Sequence, residues 1–323
     1  MEKSDLEARY DDNAKDLTAQ KSILAHILVA TMEEYKGLSP KEVIPLIEGE
    51  PKVKHDCDRM KLSPKITGMS TVLSEAGGGR IELDIRFFVW TPDRSRLSEK
   101  SVKIIANVEI QNQYNPGYDI ANRQVVSSCR MVTDQKNREY SGDDYDGLKK
   151  VTSIWIFTNP KKKYRSTITK YSLLQTNIYG NCPEENYRYD KLNIVNIGLP
   201  KDTKENIKEA KGIHKLLAAL YSKTLSLEEK KDILEHEFGI KMFEETEGKV
   251  NEMCNLSLDI RYEGIREGIR EGRREGRREG RREERNAIIR IMLNRGYSEE
   301  TIYELGFTQD DIARARLGSE EEQ

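Results

Sequence analysis

Residues 151–158 read VTSIWIFT, a run in which apolar and β-branched side chains leave almost no polar face. Strict alternation marks a strand with one wet side, whereas a short continuous run of this kind marks one covered on both sides. Helices must then lie on both faces of the sheet that contains it. Two more strand-like runs precede it, at 81–90 and 102–111, and two follow, at 168–174 and 192–199. All are rich in β-branched or aromatic residues. Between 111 and 151, Asn115-Pro116-Gly117 forms a turn, residues 118–132 suit a helix running on toward Arg138, and 142–147 break the chain again. The order of helix, two strands, helix and further strands predicts an α/β fold with a mixed sheet flanked by helices.

Helices are expected on either side of this core. Residues 22–35 carry an apolar stripe of Ile23, Leu24, Ile27, Leu28 and Met32. Ser39-Pro40-Lys41-Glu42 then supplies an N-cap, an N1 proline and a capping-box glutamate. Residues 1–17 are polar and read as a loose lead-in. Residues 50–79 read as irregular, with Gly77-Gly78-Gly79 as a flexible turn. From about 201 the pattern is helical, at 207–223, at 226–238 behind the capping box Ser226 to Glu229, and at 244–260. Residues 261–285 repeat with a period of four, EGIR giving way to EGRR, with glycines at 264, 268, 272, 276 and 280. Glu–Arg pairs three apart favour a helix, while each interior glycine costs about 1 kcal/mol relative to alanine. An extended, marginal helix or tether is expected. Beyond it come an apolar helix from 287 and two short helical units, one capped by Ser298 and ended by Gly306, the other opened by a Thr308–Asp311 box. Four parts result: a core over 1–200, a helical buttress over 201–260, the repeat over 261–285 and a helical module over 286–323.

Composition narrows the partners. The 54 basic and 56 acidic residues nearly cancel, so the chain does not wrap a polyanion uniformly, although a local basic face is compatible with that balance. No apolar run reaches the roughly 18 residues that span a bilayer, and no membrane partner is expected. The four cysteines (57, 129, 182 and 254) and four histidines (26, 55, 214 and 236) form neither a disulfide framework nor a zinc pattern. That usage fits a reducing cytoplasm. Metal chemistry would have to come from carboxylates.

The spacing of Asp84 and Glu109 supplies them. If 81–90 and 102–111 form a hairpin centred near 96.5, residues whose numbers sum to 193 lie opposite each other, and Asp84 faces Glu109. Period-two alternation puts Glu109 and Gln111 on one face and Val108 and Ile110 on the other. Two carboxylates and an amide then converge, an oxygen-rich set suited to Mg²⁺ or Mn²⁺. A hairpin carrying polar residues on its wet face is the other reading of the same pattern.

The arrangement Asp84, then Glu109-Ile110-Gln111, resembles the core of PD-(D/E)XK nucleases in their transposase-like, recombination-promoting branch, where Gln commonly stands in place of Lys. The resemblance continues through Tyr114, Tyr118, Arg123, Gln135, Tyr145, Lys149 and the strand at 151–157, and takes in Met253-Cys254-Asn255-Leu256-Ser257 and the glycine repeat. It implies a restriction-endonuclease-like fold and metal-dependent hydrolysis of DNA phosphodiesters. Asp84, Glu109 and the backbone carbonyl of Ile110 would ligate the ion, and Gln111 would position water or a phosphate oxygen. An amide carries no charge, so Gln111 does not replace the lysine electrostatically. A catalytically weak or inactive DNA-binding relative is the alternative that this departure leaves open. Lys103 shares a strand face with Glu109 but lies about 20 Å along the strand. Lys149 or Lys150, entering the neighbouring strand, is the better-placed substitute. The resemblance implies that Arg123 contacts phosphate or buttresses Glu109, with an exposed arginine as an equal reading of the residue alone. Tyr118 and Gln135 accompany it, Tyr118 with packing against the sheet as an equal reading.

Residues 147–170 contain Lys149, Lys150, Lys161, Lys162, Lys163, Arg165 and Lys170 and no acid. This stretch is the candidate DNA-backbone surface, with a solvated lysine loop as the ordinary alternative. Trp155 and Phe157 read as core. The repeat has ten arginines against seven glutamates and could graze DNA or act as a spacer. The terminal helices fit homo-oligomerisation or another protein contact at least as well as DNA.

Overall fold

The structure, a computed structural model, describes residues 3–49, 52–53, 72–73, 81–92, 102–113, 117–183 and 188–320. Two compact units divide the chain, Met1–Asp259 and Ile260–Gln323.

In the first unit, the elements in chain order are helices α1 (Lys3–Thr18), α2 (Lys21–Thr31) and α3 (Pro40–Val43), and strands β1 (Lys52–Val53), β2 (Val72–Leu73), β3 (Ile81–Glu82), β4 (Ile85–Trp90) and β5 (Lys103–Gln113). Then come α4 (Ile120–Thr133), β6 (Val151–Asn159), β7 (Thr167–Ser172) and β8 (Leu192–Gly198), followed by α5 (Lys204–Glu209), α6 (Gly212–Tyr221), α7 (Leu227–Asp232) and the start of α8 (Glu244–Asn294). One six-stranded sheet has the order β1-β4-β5-β6-β8-β7. β5, β6 and β8 run parallel, and β4 and β7 flank them antiparallel. Strand β6 is the inner strand that its sequence predicts. All seven residues from Val151 to Phe157 are buried, so both of its faces are covered. Helix α4 lies against β6 and β8, with Ile120 packed on Trp155, Phe157 and Ile194. Trp155 and Phe157 are therefore core residues, as expected. No helix among the described residues is long and apolar enough to cross a membrane.

The β4–β5 register pairs Ile85 with Val108, Arg86 with Asn107 and Phe87 with Ala106. Each pair sums to 193, the register read from the sequence. The expected strand 81–90, however, is interrupted at Leu83–Asp84. There the Asp84 side chain accepts the Ile110 N–H (2.9 Å), taking the place of a backbone carbonyl in the ladder.

Several expectations for the helices change. Residues 3–18 form a docked helix rather than a loose lead-in, because Leu6, Tyr10, Ala14 and Leu17 bury a stripe at intervals of four, four and three. Helix α1 is fastened at several points. Tyr10 Oη donates to the Tyr221 carbonyl (2.6 Å), and Thr18 Oγ1 shares a hydrogen bond with Tyr221 Oη (2.6 Å). Lys249 pairs with Asp16 (2.8 Å), and Arg9 pairs with Glu252. In 50–79, read as irregular, the described residues form the edge strand β1 and strand β2, while Gly77–Gly79 lie outside the described residues. The helix expected over 207–223 is two helices, broken where Gly212 takes a positive φ of 53°. The capping boxes at Ser39/Glu42 and Ser226/Glu229 form as their sequences predict.

The second unit holds the remainder of α8, with α9 (Glu299–Glu304) and α10 (Gln309–Glu320). The stretch 244–294, expected as three pieces, is one helix of 51 residues. Pairs such as Glu263–Arg266 (2.6 Å) run along its exposed face and favour helix despite the glycines. Ile289, Ile302, Ile312 and Ala315 form a small core. Thr308 and Asp311 cap α10 reciprocally, and Arg285 bonds Asp311 (3.0 Å).

Candidate metal centre and nucleic-acid interface

Asp84 and Glu109 meet where β4 begins. The Asp84 N–H donates to Glu109 Oε1 (3.1 Å), and Asp84 Oδ2 accepts from the Ile110 N–H (2.9 Å). Asn107, two residues before Glu109 on the same strand face, donates its amide to Glu109 Oε1 (2.9 Å). Each carboxylate thus has one oxygen fixed by hydrogen bonds and one directed at a cation. Asp84 Oδ1 lies 3.5 Å from Lys15 Nζ, and Glu109 Oε2 lies 4.0 Å from Arg123 Nη2. The N–H and C=O of a strand residue leave the same edge, so the Ile110 carbonyl also faces the β4 side on which Asp84 sits.

Glu109 is 3% exposed. Burial, and then the negative charge of Asp84, push its carboxyl well above the ordinary carboxylate range, outweighing the Asp84 N–H, Arg123 and Lys15. Two acids pressed together in this way gain from any cation placed between them. Asp84, Glu109 and the Ile110 carbonyl offer hard oxygen donors only, which fits Mg²⁺ or Mn²⁺. Among the described residues no cluster of three or more His, Cys, Asp or Glu side chains forms, so water would complete the shell.

The remaining sequence candidates fall into two groups. Arg123, on α4, has its guanidinium over the rings of Tyr118 (5.8 Å) and Trp155 (5.4 Å) and hydrogen-bonds Tyr118 Oη. These ring contacts and the Glu109 contact put it at the site, with Tyr118 as its support. Gln111 is half-buried and two residues beyond Glu109 on the same face. Gln135 lies apart from them. Its side chain accepts the Lys149 N–H (2.8 Å) and donates to the Lys149 carbonyl (3.0 Å), clamping the turn before β6.

Lys149 and Lys150 are not substitutes for the missing lysine. They precede Val151, whereas Glu109 aligns with Trp155, which leaves them about 16 Å or more away along the strand. Lys149 pairs with Glu139, and Lys150 with Glu34 (2.6 Å) and Asp190. The acid-free stretch is therefore divided. Its first two lysines are neutralised at one end of β6. Lys161, Lys162 and Lys163 are exposed past the other end, the end toward which Glu109 and Gln111 lie. Lys163 rests over the Tyr164 ring (4.8 Å), and Arg165 Nε donates to the Pro160 carbonyl (3.2 Å). This turn is seated tightly on β8, for a Cβ on Gly198 would stand 1.9 Å from the Tyr164 carbonyl oxygen.

Two residues of the site carry no role in the sequence reading. Asn107 is signalled by the alternation Asn107-x-Glu109-x-Gln111 on one strand face. Lys15 is signalled only by the apolar stripe that makes 3–18 a helix. Compared with known proteins, the chain matches no protein-family model, no curated protein and no solved structure.

Proposed function

We propose that the chain is a Mg²⁺-dependent DNA endonuclease with a restriction-endonuclease-like core of the PD-(D/E)XK type, related to recombination-promoting nucleases. The observation that carries this reading is the Asp84–Glu109 pair, two carboxylates interlocked through the backbone and buried enough that Glu109 resists ionisation. The succession of an antiparallel hairpin bearing both acids, a helix and a parallel strand agrees with that core. Asp84, Glu109 and the Ile110 carbonyl would hold the ion. Once bound, it would activate water and neutralise charge on the phosphoryl group.

The chain's own groups orient the rest. The Gln111 amide aligns water or a phosphate oxygen, and Arg123, held against the Tyr118 and Trp155 rings, restrains Glu109 Oε2. The Lys161–Arg165 turn takes DNA phosphates and gives affinity and register rather than sequence choice. Gln111 favours a second reading, a nuclease-fold protein that binds DNA without cutting it.

Nicking of supercoiled plasmid separates the two. The nuclease reading expects Mg²⁺-dependent nicking by the full chain and a loss of at least about 10²-fold in Asp84→Asn and Glu109→Gln, the scale of losing a preorganised electrostatic group. Plasmid binding without metal and without nicking establishes the second reading instead. Nicking unchanged in both variants overturns the assignment of the site.

A further inference from the structure

Lys15 is a cation brought to Asp84 from outside the strands. Its position is costly to arrange. An ammonium that is 5% exposed has lost most of its hydration and needs anionic or polar neighbours to stay charged. Its helix is held by residues far away in sequence, by Tyr221 on α6 and by Lys249 and Glu252 on α8. Gln20, just past α1, adds a bond to Thr246 (2.9 Å). These contacts fix the height at which Lys15 meets the sheet.

The contact it makes with Asp84 is loose. A charge-assisted N–H···O bond is about 2.7–2.9 Å long, and Lys15 Nζ stands 3.5 Å from Asp84 Oδ1. Asp84 Oδ2 is committed to the Ile110 N–H, so Oδ1 is the oxygen left for a metal ion. An ion bound at Oδ1 competes with the ammonium for that carboxylate, and a phosphate held at the same centre would offer the ammonium another anion. Gln111, at the position where a lysine would serve, brings no charge.

We propose that Lys15 is the catalytic cation of this centre, supplying to the reacting phosphate from α1 the positive charge that Gln111 cannot supply from β5. The proposal rests on the nuclease reading and assigns one more residue to it. In the hydrolysis, water forms a new P–O bond while the P–O bond to one sugar breaks. One water proton goes to the leaving sugar oxygen, and the other remains on the new phosphate monoester until it ionises to solvent. Lys15 gives up no proton. It stabilises negative charge on the non-bridging oxygens as that charge grows.

The test uses Lys15→Met, Lys15→Gln and Lys15→Arg in the full chain, with three readouts: the nicking rate at saturating plasmid, plasmid affinity, and the rise in melting temperature on adding Mg²⁺. The expected result is a loss of about 10²-fold or more in rate for Lys15→Met and Lys15→Gln, on the scale of removing one preorganised donor. Lys15→Arg recovers most of it, while affinity and the Mg²⁺-induced stabilisation persist in all three. Should Lys15→Met fail to fold, the comparison of Gln with Arg decides, since both are polar and only one is charged. Wild-type rates in the uncharged variants overturn the role of Lys15 and leave the nuclease intact. Loss of the Mg²⁺ response together with rate also overturns it, because Lys15 would then merely shape the site. An inactive wild-type chain instead overturns the nuclease reading, and the Lys15 role falls with it.

Discussion

Asp84 and Glu109 hold each other through the backbone: the Asp84 N–H bonds Glu109 Oε1 at 3.1 Å, while the Asp84 carboxylate caps the N–H of Ile110, the residue next to Glu109, at 2.9 Å. Neither acid can be re-aimed without releasing the other. The lock forces together two groups that repel when both are ionised. It also leaves Asp84 Oδ1 and Glu109 Oε2 turned toward cations.

That repulsion makes stability depend on pH in an unusual direction. The folded state holds the Glu109 proton to higher pH than the unfolded chain does, so folding binds protons as pH rises past the ordinary carboxylate range. No penalty exists below that range. It grows above it and is complete once pH passes the raised folded value. Glu109→Gln is expected to melt with the wild type at pH 4 and above it at pH 8. The gain should be roughly 2–4 °C for each kcal/mol relieved. Melting curves across that interval check it, and a constant offset at every pH would contradict it.

Arg86 is fully buried beneath α4 and is paired through both Nη atoms with Asp134 Oδ2 at 3.0 Å. Asp134→Ala removes one carboxylate from that buried guanidinium and is expected to cost up to about 3–5 kcal/mol. A joint replacement, Arg86→Met with Asp134→Leu, removes both charges and is expected to cost much less. Urea unfolding of the three proteins measures the difference.

On the proposed nuclease reading, the division of the basic stretch predicts contrasting DNA phenotypes. Replacing Lys162 and Lys163 by Ala is expected to weaken plasmid binding and to reduce the slope of log affinity against log salt by about 0.9 for each phosphate no longer neutralised. Replacing Lys149 and Lys150 is expected to lower stability, since Glu139, Glu34 and Asp190 lose their partners, and to leave the slope unchanged. Binding titrations at several salt concentrations distinguish the pairs.

Gly198 ties the lysine turn to the sheet by permitting an approach that a Cβ forbids. Gly198→Ala must move the Tyr164 backbone, and hydrogen exchange is expected to rise across 160–167 while the α1 amides keep their protection. Equal protection of the turn in the variant would show that the approach is not tight.

Acid is expected to loosen the second unit through its cap. Asp311, bonded to the Thr308 N–H and hydroxyl and to Arg285, titrates at about 2, below its ordinary value. The stability it contributes is full above its unfolded value and disappears as pH falls toward 2. Asp311→Asn is expected to abolish that acid dependence in exchange measurements on α10.

How much of the fold and the site is legible in the sequence depends on the distance over which each signal acts. The Asp84–Glu109 register is the one expected if the two neighbouring strands form a hairpin centred near 96.5, and β4 and β5 pair in that register. The capping boxes are readable because their partners are three residues apart. Lys15 is hidden because its helix is too polar to announce itself, and its apolar stripe is only four residues long. The lysines at 149 and 150 look available until Glu34 and Asp190, distant in sequence, arrive beside them. The long α8 reads as three segments because its glycines suggest breaks, whereas their Cβ positions face open space and nothing forces the backbone to turn.

The fastening of α1 sets an order of assembly. During synthesis Lys15, Asp84 and Glu109 all emerge well before Tyr221, Thr246, Lys249 and Glu252, on which the seat of α1 depends. A ribosome-bound chain carrying the whole sheet is therefore expected to pair Asp84 with Glu109 before α1 has its seat. On the reading proposed for Lys15, the centre is complete only after Glu252 has emerged, and a partial chain is expected to be inactive however well its strands have paired.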